Sequence, residues 1–359
     1  SAMSQPEDKA LAIRVSAQTV IGQAADWLET SQRVALATVI STWGSSPRPV
    51  GSQLVTNERG EFAGSVSGGC IEGNVIEQCQ KIAHTGVTRI LEYSVSDEQA
   101  WGVGLTCGGT VIVLICALVD RTVVTDLYRC QQQRKLVALL IHCENAEQVV
   151  FIAGKKDASL RAVGLDPTQL HERLLSGVSG TIPVGAGQWF CRVFMPSLRL
   201  VVIGAVHISQ VLVPMARLAG FHVTLVDPRI AFATATRFVD TRIVRQWPDR
   251  YFENEPLDAD TAVVSLSHDS KIDDLALIAA LKSPACYVGA LGSRKTHARR
   301  LSRLEDAGMT PAALARIHAP IGLDLGGRSA SDIAIAILAE IVSVRSGPGP
   351  VSKPKEQHD

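Results

Sequence analysis

The chain has 359 residues, 46% of them hydrophobic, and its 35 basic and 35 acidic residues give a formal net charge of zero. This length suggests two domains with a sizeable core, and the balanced charge argues against nucleic acid as a partner. The longest apolar runs contain about ten residues, whereas a bilayer-spanning helix needs roughly 20. Eight cysteines without a CxxC pair disfavour a disulfide framework and a structural zinc site. We therefore expect a cytoplasmic protein without membrane insertion.

Helix and strand patterns alternate along the first part of the chain. Residues 1–13 start with a tag remnant, Ser1-Ala2, and lack the pattern of a secretory signal. Residues 14–196 are predicted to form a mixed α/β domain. Its helices are expected over 17–30, from Ile71 and over 123–135, its strands over 33–41, 53–57, 110–118, 136–143 and 147–154, and a further helix with loops over 160–187.

Residues 197–345 have the pattern of a Rossmann-like, doubly wound parallel sheet. Continuous apolar strands are expected over 198–204, 221–227, 261–267 and 285–291, with helices between them. The first of these helices has Ile208, Val211, Leu212, Met215 and Leu218 on one face. The last helix opens with a capping box formed by Ser329 and Asp332. Residues 346–359 are rich in Pro, Gly and charge and predict a disordered tail.

A Gly-Gly-Cys turn precedes the helix that is predicted from Ile71. The stripe Ile71, Val75, Cys79 and Ile82 predicts an amphipathic helix whose core face includes Cys79. Cys70 follows Gly68 and Gly69 at the helix start, where unpaired amides and the helix dipole favour a thiolate. Cys70 is therefore a candidate for either a soft-metal ligand or a sulfur carrier, and the sequence does not choose between the two.

Two further loops of the first part carry polar or thiol groups. The loop "WGSSPRPVG" combines Ser45, Ser46 and Arg48 and predicts an oxyanion site, although a structural turn is the alternative. The segment "LTCGGT" places Cys107 beside Gly108, which resembles the Gly-Gly-Cys turn, although a cysteine is often only a small core residue. The remaining six cysteines lie in apolar or helical contexts and are expected to be inert.

The turn after the first strand of the second part can be compared with the GxGxxG motif of dinucleotide-binding proteins. Gly204 stands where GxGxxG would begin, and Asp227 follows at the end of the next strand, where an acidic residue holds a ribose hydroxyl. Val206 and Ser209 replace the second and third glycines. The pattern therefore supports the fold better than NAD(P) binding.

Polar side chains also follow two later strands of this sheet. His268 comes after one strand, and Ser293 and Arg294 open a helix after the next, where a phosphate could be held. For His268 the alternative is a capping loop histidine, and for Arg294 it is a surface cation. Arg299, Arg300 and Arg303 predict a solvated helix face.

The combined motifs resemble the xanthine dehydrogenase accessory protein family (XdhC/CoxI). They are GSSPRPVGSQL, GSVSGGCIEG and CGGTV in the first part, and VVIGAVHISQVL, VTLVDPR, SHDSKIDD, YVGALGSRKTH and HAPIGLDLGGRSASDIAIAILAEIV in the second. The resemblance spans roughly Val34 to Arg345. It has one departure, because many members have GAGH where this chain has Gly204, Ala205, Val206 and His207.

The resemblance implies a chaperone that binds the molybdenum cofactor, a molybdopterin that can carry a cytosine dinucleotide. Such a chaperone holds the cofactor while a cysteine desulfurase sulfurates it, and then delivers it to an apo molybdenum hydroxylase of the xanthine dehydrogenase class. It has no turnover chemistry of its own. The resemblance further implies which residues hold the molybdenum-pterin end: Ser45, Ser46, Arg48, Gly68, Gly69, Cys70, Cys107 and Gly108. Of these, Cys70 and Cys107 would lie nearest the metal. Gly204, His207, Asp227, His268, Ser293 and Arg294 would take the phosphate or nucleotide tail.

Two other classes of function are alternatives to the chaperone. An NAD(P)-dependent oxidoreductase is suggested by the second domain alone, but Val206 argues against it. A structural adaptor between desulfurase and hydroxylase has no need of the two Gly-Gly-flanked thiols. The sequence leaves the oligomeric state open, and a homodimer is the commonest arrangement for soluble oligomers.

Overall fold

The computed structural model describes residues 19–44, 46, 48–69, 71–94, 109–153, 160, 163–185 and 187–346. The chain divides into two compact units between Pro196 and Ser197. In the part of the chain that the structure describes, no helix has both the length and the apolar character needed to cross a bilayer.

The first unit contains a five-stranded antiparallel sheet, called sheet A, with the order β3-β2-β1-β5-β4. Its strands are β1 (Val34–Trp43), β2 (Gln53–Asn57), β3 (Phe62–Gly64), β4 (Arg89–Tyr93) and β5 (Thr110–Ala117). Helix α1 (Val20–Glu29) packs against one face and helix α2 (Glu72–Thr85) against the other. The predicted stripe of α2 is confirmed, because Val75, Cys79 and Ile82 are buried against sheet A.

A second antiparallel sheet in the same unit, called sheet B, has the order β7-β6-β9-β8. The strands of sheet B are β6 (Val137–His142), β7 (Gln148–Ile152), β8 (Gly180–Val184) and β9 (Gly187–Phe194). The helices in this part of the chain are α3 (Arg121–Gln132) and α4 (Pro167–Ser176). Strand β8 lies where the sequence predicted a helix and loops. Its pattern is obscured by Pro183, which an edge strand tolerates because one side of its backbone needs no hydrogen bonds.

The second unit is a six-stranded parallel sheet with the order β12-β11-β10-β13-β14-β15. The strands are β10 (Arg199–Ile203), β11 (His222–Val226), β12 (Arg242–Val244), β13 (Thr261–Ser265), β14 (Tyr287–Ala290) and β15 (Ile317–His318). The helices are α5 (His207–Leu218), α6 (Pro248–Asn254), α7 (Ser270–Leu281), α8 (Arg294–Asp306), α9 (Pro311–Leu314) and α10 (Ala330–Ser346). In order of appearance the strands run 3-2-1-4-5-6, the doubly wound Rossmann order. The predicted fold class is confirmed.

Two local predictions in the second unit have different outcomes. The capping box of α10 is confirmed, because the Ser329 amide donates to Asp332 Oδ2 and the Asp332 amide donates to Ser329 Oγ, both at 3.1 Å. The predicted core face of α5 is partly wrong. Leu218 in the last turn is exposed, whereas Leu212 is buried and Ile208, Val211 and Met215 pack against the same core.

Candidate functional site

One end of sheet A brings together the three segments that the sequence analysis singled out in the first unit. Trp43 at the end of β1 pairs with Thr110 at the start of β5, and Tyr93 at the end of β4 pairs with Val111. The Ser65 amide, just after β3, donates to the carbonyl of Gln53 at the start of β2 at 3.0 Å. The loop after β1, the Gly-Gly turn after β3 and the chain on either side of 95–108 therefore leave the sheet at the same end.

The loop after β1 exposes donors at this end of sheet A. Ser46 is partly buried and its hydroxyl donates to the Arg48 carbonyl at 2.9 Å, while the Arg48 side chain is exposed. No ion pair to Arg48 is present among the described residues. Trp43, directly before this loop, is 77% exposed. Ser45 lies outside the described residues.

The Gly-Gly turn is organised around Glu72, a residue that the sequence analysis did not identify. The amides of Val66 and Ser67 donate to Oε1 at 3.2 and 2.9 Å, and the Gly69 amide donates to Oε2 at 2.7 Å. The hydroxyls of Ser65 and Ser67 donate to the same carboxylate. Burial would raise the pKa of Glu72, but the hydrogen bonds from Ser67, Ser65 and the backbone outweigh it and lower the pKa to about 2.

These hydrogen bonds occupy the amides of Gly68 and Gly69, so the two glycines cannot offer those amides to a ligand. Both glycines are exposed and have positive φ angles of 74° and 116°, and at Gly69 the space for a side chain is open. Backbone conformation therefore explains Gly69, not a close approach. Because the Gly69 amide points at Glu72 and the Gly68 amide at Ser65 Oγ, the turn already contains its own anion. Its contribution to a site is to hold the neighbouring chain in place.

The proposed metal-proximal thiols, Cys70 and Cys107, lie outside the described residues together with Gly108, so their roles stay predictions. Among the residues the structure does describe, no three His, Cys, Asp or Glu side chains are grouped so as to hold a metal ion. Cys116 is fully enclosed, and burial raises the pKa of its thiol to about 12; burial also raises the pKa of Cys191 to about 11. Both thiols are therefore protonated at neutral pH.

In the second unit, the predicted site residues all lie at the carboxyl edge of the parallel sheet, where α/β folds bind their ligands. His207 is the first residue of α5, His268 lies in the loop after β13, and Arg294 is the first residue of α8; all three are exposed. Ser293 caps α8, and its hydroxyl accepts the Thr296 amide at 3.2 Å. Gly204 and Asp227 also lie at this edge, but both are buried.

Gly204 is required by packing between two loops. Its φ is +104°, and a Cβ there would lie 2.6 Å from Cα of Ser267 and 2.7 Å from its nitrogen. The turn after β10 therefore lies directly against the turn after β13. Backbone atoms cannot move aside as a flexible side chain can, so the contact excludes any other residue at position 204.

Asp227 differs from the expectation that its carboxylate contacts a nucleotide tail. It is fully buried, and Oδ2 accepts the Ala205 amide at 2.7 Å and Arg229 Nη2 at 2.7 Å. Oδ1 accepts the Arg229 amide and Nε, each at 2.9 Å. Burial would raise the pKa of Asp227, but the bonds from Arg229 and Ala205 lower it. With both oxygens enclosed, Asp227 ties β11 to the turn after β10 and has no surface left for a ribose hydroxyl.

The loop after β13 is held by a similar carboxylate. Asp273 Oδ1 accepts the Ser267 hydroxyl at 2.6 Å and its amide at 3.2 Å. His268, the next residue, has φ +61°. A left-handed conformation is uncommon for histidine and persists only where surrounding bonds enforce it. The imidazole is thus presented to solvent on a fixed backbone.

Arg300 corrects the prediction of a solvated face on α8. It is only 3% exposed, its Nη2 donates to the Leu291 carbonyl at 2.6 Å, and its Nε has no hydrogen-bond partner. Burial lowers its pKa. Arg303 is more exposed and pairs with Asp274 at 2.6 Å, while Arg299 is exposed as expected. The helix pattern gave no sign of this difference, because all three arginines look alike in the sequence.

Family models match two stretches of the chain. Residues 27–94 match the model described as the XdhC and CoxI family, and residues 200–341 match the XdhC Rossmann domain. The first stretch contains the loop after β1 and the Gly-Gly turn; the second contains the carboxyl edge of the parallel sheet.

Whole-length relatives agree with these matches. The molybdenum cofactor insertion chaperone PaoD of Escherichia coli K12 is 27% identical over 330 residues, covering 91% of this chain and 88% of PaoD. A probable xanthine dehydrogenase subunit of Bacillus subtilis 168 is 24% identical, covering 89% and 95% of the two chains. A crystal structure of a xanthine dehydrogenase from Bacillus halodurans superposes with a TM-score of 0.71 at 23% identity, covering 94% of this chain and 98% of that one.

Proposed function

Because the chain belongs to the XdhC and CoxI family, we propose that it binds the molybdenum cofactor, holds it for sulfuration and delivers it to an apo molybdenum hydroxylase of the xanthine dehydrogenase class. A relative of matching length, PaoD, is named as a molybdenum cofactor insertion chaperone, which supports the cofactor-binding part. A cysteine desulfurase is the proposed source of sulfur. In this proposal the protein is a cytoplasmic homodimer without turnover chemistry of its own.

The observation that carries the proposal is the convergence of three segments at one end of sheet A. The cofactor is an anion with a flat pterin, a phosphate and dithiolene sulfurs. The exposed Arg48 guanidinium, without a carboxylate partner among the described residues, fits the phosphate. The loop hydroxyl of Ser45 would add a donor, whereas the Ser46 hydroxyl supports the loop by donating to the Arg48 carbonyl. When bound, the molybdenum would supply the centre that carries the terminal sulfido ligand.

The thiols at 70 and 107 are proposed to lie near the metal, on chain segments that leave sheet A at this end. The residues on both sides of Cys70 are anchored, because the Gly69 amide is held by Glu72 Oε2 and the Ile71 amide is held by Ser67 Oγ at 3.0 Å. In this proposal, Gly68 and Gly69 act by fixing the backbone that carries Cys70. Gly108 plays the corresponding part beside Cys107.

The second unit is proposed to take a dinucleotide tail through groups exposed at its carboxyl edge: His207, His268, Ser293 and Arg294. Gly204 and Asp227 would support these groups from below. The enclosure of Asp227 counts against the alternative of an NAD(P)-dependent oxidoreductase, because no carboxylate is presented at that position for the ribose hydroxyls.

The test is cofactor retention. The full chain is produced in a host that makes the molybdenum cofactor, and the purified protein is analysed for molybdenum by mass spectrometry and for pterin by fluorescence after oxidation. We expect near-equimolar amounts in the wild type and a loss of at least tenfold in Cys70→Ala. Cys286→Ala, which changes a half-buried thiol of the second unit, is the matched control and is expected to retain the cofactor.

The same preparations separate the alternatives. Absence of both molybdenum and pterin from the wild type, together with saturable energy transfer to NADH, would replace the chaperone with an oxidoreductase. Equal retention by Cys70→Ala and the wild type would remove Cys70 from the site but leave the chaperone intact.

A further inference from the structure

Arg192 on β9 is a cation that has no carboxylate partner among the described residues. Its Nε is buried and has no hydrogen-bond partner. Nη1 donates to the Val193 carbonyl and lies 3.5 Å from Ser179 Oγ, and the guanidinium stacks 4.5 Å from the ring centre of Phe194. An unpaired, largely desolvated charge is costly, and such a charge is often retained for a ligand.

The side chain of Arg192 lies against the loop that follows β1. Its Cδ is 3.2 Å from the position that a Cβ on Gly51 would occupy, and Ser179 lies 3.0 Å from the same position. Gly51 ends the GSSPRPVG segment that also carries Ser46 and Arg48. The missing side chain at position 51 therefore lets the Cδ methylene of Arg192, on sheet B, pack against the end of the loop after β1.

We propose that Arg192 and the loop after β1 form a phosphate subsite, which takes the phosphate group attached to the pterin of the cofactor. This inference rests on the proposed function and adds to it a residue on a different sheet. Nη2 of Arg192 makes no hydrogen bond within the described residues and can donate to phosphate oxygens, and the anion offsets the positive charge that no described carboxylate pairs with. Burial also lowers the pKa of Arg192, as expected for a cation that lacks an anionic neighbour.

Arg173 provides a matched control. Its Nη1 lies 2.9 Å from the Cβ position of Gly180, and Gly180 pairs with Cys191, so Arg173 contacts the face of sheet B opposite to Arg192. Arg173 is partly exposed, like Arg192, and it lies on the far side from Gly51.

The first experiment measures Tm against the concentration of inorganic phosphate, with chloride at equal ionic strength as the reference. We expect phosphate to raise the Tm of the wild type and of Arg173→Gln, and the apparent Kd to weaken at least tenfold in Arg192→Gln. Arg192→Lys keeps the positive charge but replaces the planar guanidinium with an ammonium group, so it should give an intermediate Kd. It also serves as a control in case Arg192→Gln fails to fold. Equal phosphate responses in the wild type and Arg192→Gln would overturn the proposal.

A second readout addresses a purely structural role. Arg192→Met removes the unpaired charge, so its Tm without phosphate should equal or exceed that of the wild type. A lower Tm combined with an undiminished phosphate response would show that Arg192 only supports sheet B.

Cofactor retention then separates the two proposals. Wild-type protein without molybdenum and pterin would overturn the proposed function, whatever the phosphate titration gives. Wild-type protein that retains the cofactor, with equal retention by Arg192→Gln, would overturn the subsite alone, even if free phosphate still requires Arg192. Loss of both phosphate response and cofactor in Arg192→Gln, but not in Arg173→Gln, supports it.

Discussion

The carboxylate of Asp227 and the backbone amide of Ala205 are joined by a hydrogen bond of 2.7 Å that connects β11 to the turn after β10. Asp227 is fully buried, and its only charged partner in the described structure is Arg229. A buried carboxylate in this setting is a structural tie, and its removal leaves a guanidinium and an amide without their acceptor.

Asp227→Asn should therefore lower the free energy of unfolding by about 3 kcal/mol, because one side-chain oxygen is replaced by a donor that faces other donors. Urea denaturation monitored by circular dichroism measures this. Asp240→Asn, at an exposed position beyond β11, is the control and should stay within about 0.5 kcal/mol of the wild type. A stable Asp227→Asn protein that has lost NADH binding would instead point to a ligand-binding carboxylate.

Glu72→Gln should cost about 2 kcal/mol at pH 7, because the Gln amide group presents hydrogens to the Gly69 amide and the Ser67 hydroxyl. Glu77→Gln on the same helix removes only an exposed pair with Lys81 and should cost less than about 0.5 kcal/mol. Equilibrium unfolding in urea compares the two variants. Equal losses would mean that the carboxylate does not organise the turn.

The pH dependence of the Glu72 contribution has a defined sign. Folding lowers the pKa of Glu72 from 4.5 to about 2, so the folded state favours the ionised form. Its stabilisation is fully present above the unfolded pKa and is lost as the pH falls from about 4.5 towards 2. The stability difference between wild type and Glu72→Gln should shrink over that interval. A difference that stays constant down to pH 2.5 would contradict the lowered pKa.

Gly204→Ala should destabilise the second unit by about 3 kcal/mol or more, because the new Cβ would lie 2.6 Å from Cα of Ser267 and the backbone is left-handed. Gly220→Ala is a matched control with φ +87° and no atom within 4 Å of the new Cβ. Gly220→Ala should lower the free energy of unfolding by about 1 kcal/mol, because only the left-handed backbone conformation opposes the new side chain. Thermal unfolding of both variants isolates the packing contribution, and equal shifts in Tm would rule it out.

Ser329→Ala should cost about 1 kcal/mol, because the Asp332 amide loses its acceptor at the start of α10. Ser343→Ala, an exposed position in the last turns of the same helix, should change stability by less than about 0.5 kcal/mol. Urea titration at a single pH is sufficient to compare them. A larger loss at position 343 than at 329 would show that the capping box does not stabilise α10.

Periodic patterns allowed most of the architecture to be predicted. The core stripe of α2 repeats at helical spacing, and the buried strands of the parallel sheet are continuous apolar runs, so both could be identified without structural information. Short edge strands could not be identified from the sequence in this way. Strand β15 has two residues and β8 contains Pro183, and each depends on a neighbouring strand for its hydrogen bonds.

The candidate site was less predictable, because similar residues serve different purposes. The position of Asp227 is the same whether an acidic side chain faces a ribose or an amide of its own chain. Arg300 and Arg303 occupy one helix, but the guanidinium of Arg300 is buried against Leu291 and Gly292, whereas that of Arg303 is exposed. Glu72 was missed because its five donors come from residues 65 to 69, and only the folded turn points them at one carboxylate.

The carboxylate of Glu72 has a consequence for the proposed delivery of a cofactor. A loop whose amides are paired only with a bound anion loses those hydrogen bonds when the anion dissociates, and it must then rearrange. Here the negative charge belongs to Glu72 of the chain itself, so we expect the turn of residues 65–69 to keep its shape whether or not a ligand is bound. The proposed binding and release of the cofactor would then not require this turn to refold.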